Sequence, residues 1–233
     1  MTTNPMETVD TSWNGLYRWG GISLMLVGVL YFIGFILALS MGTQPSGGEA
    51  VLKWLAGQTT LAYATWGVFI LTDILLVPVI LALYLALKGV NKNAMLASAG
   101  FFGLFLALDL AVTCISWIAL TSLSQNYAAA TSDIQQAAYV ATANYALNAT
   151  AVSAPVYSSV VSSIGILITS LVMLKGIFSK ATAYVGIATS IAGFVYAISV
   201  FVPALGIFIA VALLVGGIWG LLAGSRLYRL GKR

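Results

Sequence analysis

From Ala181 to Ser225 the chain carries no charged side chain. A single helix of that length would run about 67 Å at 1.5 Å per residue, roughly twice the hydrocarbon thickness of a bilayer. Within the stretch, "FVPALG" offers a turn, because Pro203 removes a backbone N–H and Gly206 relieves the bend. The stretch therefore reads as two membrane crossings. The rest of the chain has the same character. Hydrophobic residues make up 61% of it and charged residues 7%, against roughly a quarter charged in a soluble domain. Such a chain cannot cover a water-facing surface. The short alternating segments of an outer-membrane barrel are missing, and the apolar runs reach the ~20 residues that a helical crossing needs.

These features predict an all-α fold, a polytopic transmembrane helix bundle forming a single integral membrane domain over residues 1–233. Six spans are expected at about 19–41, 61–88, 95–123, 153–175, 181–203 and 205–226. With the N-terminus inside, Arg18, Lys88, Lys92, Lys175, Lys180, Arg226, Arg229, Lys232 and Arg233 are all cytoplasmic, and only Lys53 lies outside. This asymmetry follows the positive-inside bias and puts both termini in the cytoplasm. The net charge of +4 is thus a topology signal, with a lipid bilayer as the expected partner and no nucleic acid. The first apolar run follows about eighteen mostly polar residues and is long enough to span, so it reads as an anchor and not a cleaved signal. Trp13, Tyr17 and Trp19 are expected at headgroup level.

Two outer segments stand out. Residues 42–60 predict a loop with a short helix around "AVLKWLAG". Residues 124–152 predict an outer loop with a short helix, opened by a capping box at Ser132 and Gln135 and leading toward the fourth span. "NAT" at 148–150 matches a glycosylation acceptor. The inner loops are short, and no phosphate-binding or nucleophile motif occurs. With no histidine and a single cysteine, Cys114, the usual metal and cofactor ligands are missing; no metal and no cofactor are expected.

Small residues mark the helix faces. Gly216, Gly220 and Gly224 recur every four residues and predict close helix packing, within the bundle or between copies of the chain. Thr182, Gly186, Thr189, Gly193 and Tyr196 share a face, and Ser159, Ser162, Ser163, Thr169 and Ser170 form another polar stripe. Stripes of this kind serve as packing seams or line a hydrated path.

The sharpest candidates are Asp73 and Asp109, each surrounded by apolar neighbours. A charged aspartate at mid-helix costs roughly 2.5–3.5 kcal/mol on insertion scales and faces the bundle interior as a rule. The turn "KGVNKNA" is centred near Asn91, eighteen residues from each. In an antiparallel hairpin they reach the same depth, about 25 Å from that turn. At helical spacing Asp73 shares a face with Trp66 and Tyr84, and Asp109 with Thr113 and Ser116. No Lys, Arg or His lies inside any predicted span, so the pair needs a cation, an arginine from another chain, water or a retained proton.

The stretches "LYRWGGISLMLVGVLYFIGFILAL" and "DILLVPVILALYLALKGVNKNAMLASAGFFGLFLALDLA" resemble a family of small six-span prokaryotic proteins known only as a domain of unknown function. The likeness rests on an aspartate, an apolar run to "LYLALK", a polar turn and a second aspartate in the next helix. It implies a multi-pass protein of a prokaryotic plasma membrane and brings no activity with it. The residues themselves favour a protein that binds or translocates a small ligand, proton or cation through the acidic pair. The alternative is a non-catalytic accessory or structural subunit of a membrane complex or homo-oligomer. An enzyme is not expected, since the residues before the aspartates, "ILTD" and "LALD", lack the GxGD-like motif of intramembrane aspartyl proteases.

Overall fold

The computed structural model describes residues 10–232. Among these the chain is helical almost throughout, without a strand. Eight α-helices follow one another: α1 Asn14–Ser40, α2 Gly48–Ala56, α3 Thr59–Leu108, α4 Ile115–Ala129, α5 Asp133–Val152, α6 Ser159–Met173, α7 Lys180–Ala197 and α8 Phe208–Leu230. Five helical runs are long and apolar enough to cross a membrane: Thr11–Ser40, Thr59–Ala129, Asp133–Met173, Lys180–Val200 and Pro203–Leu230.

The second run, 71 residues long, would extend over about 107 Å if straight. It does not. Asn91 leaves the helical region at φ −156° and ψ 94°, and its Oδ1 accepts from the Ala94 N–H at 3.0 Å, capping the outgoing arm. The two arms of α3 fold against each other. Ile80 and Leu83 of the first arm pack with Met95, Ser98 and Phe102 of the second. Farther out, the Trp66 and Trp117 rings stack at 4.9 Å with their planes 9° apart.

The outer segment differs from expectation. The only break is at residues 130–132, after which α5 runs for 20 residues and continues through a π-helical segment, Ser153–Ser158, into α6. The result is one 41-residue helix where a loop with a short helix was predicted. The alanine-rich sequence contains no breaker before Pro155, and the π turn accommodates the N–H that proline lacks. Ser132 Oγ accepts from the Gln135 N–H at 3.4 Å, the capping contact predicted there. Asn148 falls inside α5 and not on the surface loop that its triplet suggested. At "FVPALG" the helix breaks as expected, through 3-10 segments Ile198–Val200 and Pro203–Ile207 that flank an extended Val202.

Backbone-to-backbone contact holds α1 against α8. A Cβ on Gly21 would lie 2.5 Å from the Tyr228 nitrogen, one on Gly28 2.7 Å from the Gly217 oxygen, and one on Gly224 2.8 Å from the Gly21 oxygen. Gly220 meets Leu24 and Gly28 of α1, while Gly216 meets Thr189 and Tyr31. The glycine face is thus occupied within the chain. Ser98 Oγ joins the second arm of α3 to α6, bonding the Gly165 carbonyl at 2.8 Å and Thr169 Oγ1 at 2.7 Å.

The end of the bundle where α1 begins and α8 finishes also holds the Asn91 turn and the loop after α6. There Arg226 Nε donates to the Ile177 carbonyl at 2.9 Å, and Gly231 rests against Arg18 and Asn14. The opposite end carries a cap made of α2 and α5. Val51, Leu52 and Leu55 of α2 pack with Met41, Leu120, Tyr127 and Ala143. Asn144 Oδ1 accepts the Gly48 N–H at 2.8 Å, and Trp54 Nε1 donates to the Met41 carbonyl at 3.0 Å. Gly42 and Gly47 take left-handed φ values of 74° and 87° to turn the chain into α2.

Replacing Gly21 by Ala should lower unfolding stability by about 1–3 kcal/mol, because the new methyl meets rigid backbone. Gly103→Ala, with open space at its Cβ position, should be neutral or slightly stabilising. Denaturation of both variants in detergent checks the contrast.

The cap also has a pH dependence. Glu49 accepts from Lys53 Nζ at 2.6 Å and from the Tyr127 hydroxyl at 3.1 Å, and these bonds, with the Lys53 charge, hold its carboxyl below the usual glutamate range. A carboxyl lowered on folding contributes stability above its unfolded value, about 4.3, and loses it as pH falls through the folded value. Amide exchange in α2 should therefore lose protection below about pH 4.3, corrected for intrinsic rates, and Glu49→Gln should remove that pH dependence.

Candidate functional site

Six helical segments enclose a cavity of about 950 Å³ that opens toward the cap. It is walled by α1, both arms of α3, α6, α7 and α8, and Gln44–Gly47 and Asn148 lie at its mouth. Small residues explain where it forms. Toward the Asn91 end, Thr169 and Ser170 of α6 and Thr182 of α7 are fully packed away. Toward the cap, Ser159, Ser162 and Ser163 of α6 face the cavity together with Thr189, Gly193 and Tyr196 of α7. Each stripe is therefore a seam at one end and a cavity wall at the other. Ser159 Oγ donates to the Gly193 carbonyl at 2.8 Å, tying α6 to α7 at the wall.

The two aspartates meet in this wall. A straight helix would hold them about 54 Å apart; with the turn at Asn91, carboxylate oxygens of Asp73 and Asp109 and the sulfur of Cys114 all lie within 4.8 Å of one another. Cys114 Sγ is 3.7 Å from Asp109 Oδ2 and 4.0 Å from Asp73 Oδ2, each within reach of a thiol donor. Asp73 is 3% exposed and Asp109 is half-buried. The described residues lining the cavity include no lysine or arginine, and the chain has no histidine. The pair therefore faces the cavity without a cationic partner among them.

The local cause is a change of helix type. Residues Asp109–Cys114 form a π-helix. One π turn inserts a residue into the phase of the helix, so that the residue five beyond Asp109 sits where the fourth would in an α-helix. This turns Cys114 and Trp117 toward the pair. Thr113 still reaches the cavity, where its Oγ1 lies 3.5 Å from Ser158 Oγ, the last residue of the second π segment.

The cavity thus brings together four of the residues singled out from sequence: Trp66, Asp73, Asp109 and Thr113. Two others lie elsewhere. Tyr84 is eleven residues beyond Asp73, about 16 Å along the helix, and packs on the main hydrophobic core instead. Ser116 is turned off the face by the π segment and is not among the lining residues. Residues that periodicity did not find are Cys114 and Trp117, hidden by the same phase shift, and Tyr31 and Trp219, which come from helices with no polar marker.

Two oxygens and one sulfur are a donor set that a metal ion can use, although sequence alone gave no reason to expect one. A complete shell would need further donors, which Thr113 or water could supply.

The model of the family described as a domain of unknown function, DUF4386, matches residues 20–228. The chain belongs to that family. The match runs from α1 to α8 and so covers the whole cavity wall, both aspartates included. No curated protein and no solved structure matches this member of the family. Family membership carries no activity with it.

Proposed function

We propose that this protein is a six-span integral membrane protein of a prokaryotic plasma membrane, one domain with both termini cytoplasmic, which binds a small ligand, proton or cation through Asp73 and Asp109. The observation that carries this reading is the meeting of two carboxylates and a thiol on the wall of a cavity whose lining has no cationic side chain. A pair buried only to fasten helices would be enclosed by packing. This one opens on space. Counting the two arms of α3 separately gives six crossings. The basic residues then gather at the Asn91 end, and Lys53 lies on the cap with Glu49, as the positive-inside bias requires of cytoplasmic ends.

Infrared titration of the protonated-carboxyl band in lipid, between about pH 4 and about pH 10, tests the reading. A pair in contact with cavity water should titrate as a coupled unit, with the band lost in one of Asp73→Asn and Asp109→Asn and shifted in the other. A band that stays constant throughout, in wild type and variants alike, would mean neutral acids locked into packing and would sink the proposal.

A further inference from the structure

We infer that the ligand of this cavity is an amphipathic organic monocation, held by its charge at Asp73 and Asp109 and by its apolar body against the aromatic wall. This rests on the reading of the acidic pair as a binding site and adds the chemical class of what it binds.

Size is the first argument. A cavity of about 950 Å³ lies at the upper end of the ~300–1,000 Å³ range of sites for drug-sized molecules. A bare inorganic ion at the carboxylates would leave most of it unused. The walls are the second argument. Tyr31, Trp66, Phe69, Phe105, Trp117 and Tyr196 all line the space. Aromatic faces attract a cation within about 6 Å of the ring centroid and also bury apolar surface. Trp66 and Trp117 stack with their planes 9° apart, and both line the cavity.

Charge and donor chemistry are the third. A hard divalent cation takes six to eight oxygen ligands, and one of the three clustered donor atoms here is sulfur. An organic monocation needs no such shell. It neutralises one carboxylate while a proton on the other leaves the site without net charge, the arrangement of lowest cost at this depth. The other titratable groups facing the pair are Cys114 on the π segment, Tyr31 on α1 and Tyr196 on α7. A separate observation also points to a bound molecule. Trp66 lines the cavity, and its indole N–H is buried without a partner among the described residues. That unanswered donor leaves room for an acceptor on the ligand or for water.

The test is binding of tetraphenylphosphonium to the purified full chain in nanodiscs, followed by calorimetry and tryptophan quenching. A neutral tetraphenyl analogue of the same shape, and Mn²⁺, Ca²⁺ and Zn²⁺, are run in parallel. Saturable binding of the phosphonium is expected, at least tenfold weaker in Asp73→Asn and Asp109→Asn and at least tenfold weaker for the neutral analogue. Ser162→Phe, which fills the cavity from the α6 wall and leaves both carboxylates in place, should weaken phosphonium binding similarly while the carboxyl band still titrates. That variant keeps the test decisive if an Asn variant fails to fold.

Equal binding of charged and neutral probes, or phosphonium binding indifferent to the substitutions, would overturn the inference. Carboxylate-dependent binding of a metal ion without the phosphonium would overturn it and leave the acidic pair standing as an ion site. Absence of carboxylate-dependent binding for every probe, with a band that never titrates, would remove both readings.

Discussion

The site depends on one departure from the helix. At Asn91 a single residue takes an extended conformation, and the Asn91 side chain caps the arm that follows. The two arms of α3 then lie antiparallel, and two carboxylates separated by 36 residues come within 4.8 Å. Nothing local to either aspartate could bring this about. The turn can form there because "KGVNKNA" is polar and lies at an end of the bundle, where freed backbone groups have partners. In the middle of the hydrocarbon the same break would leave them without water.

The bundle closes at one end and opens at the other for reasons of side-chain size. Gly21, Gly28, Gly220 and Gly224 let α1 and α8 approach backbone to backbone, and hydroxyls tie α3 to α6. Hydrophobic association contributes little between helices in lipid, so dispersion and interhelical hydrogen bonds must hold the contact. Toward the cap the same helices carry tryptophan, tyrosine and phenylalanine, and the space between them remains open. The cap is held differently, by an apolar cluster and by the Asn144, Trp54 and Glu49 bonds.

Much of the site could be read in advance, because the period of an α-helix converts sequence spacing into shared faces. Asp73 and Asp109 lie equally far from the turn, and Trp66 lies two turns from Asp73 on the same side. The reading fails where the period changes. Ser116 was placed by α-helical spacing, and the π turn over Asp109–Cys114 brings Cys114 and Trp117 into its place. Tyr84 shares a helix face with Asp73 but lies too far along the axis, and a face says nothing about how far along it a cavity extends. The continuous helix through α5 and α6 departs from the expected loop with a short helix, and a change of helical period at Ser153–Ser158 carries it past Pro155.

By itself, the sequence determined the helical, membrane-adapted class, the polar turn at Asn91 and the equal depth of the two aspartates. These follow from composition, from the length of uncharged runs and from the 1.5 Å rise, which act along the chain. Tertiary structure alone decided that the carboxylates open on a cavity, that Cys114 joins them, and that the glycine face is met within the chain. Those depend on which helices pack side by side and on the phase at which they meet, and an apolar sequence leaves both open until the side chains interlock.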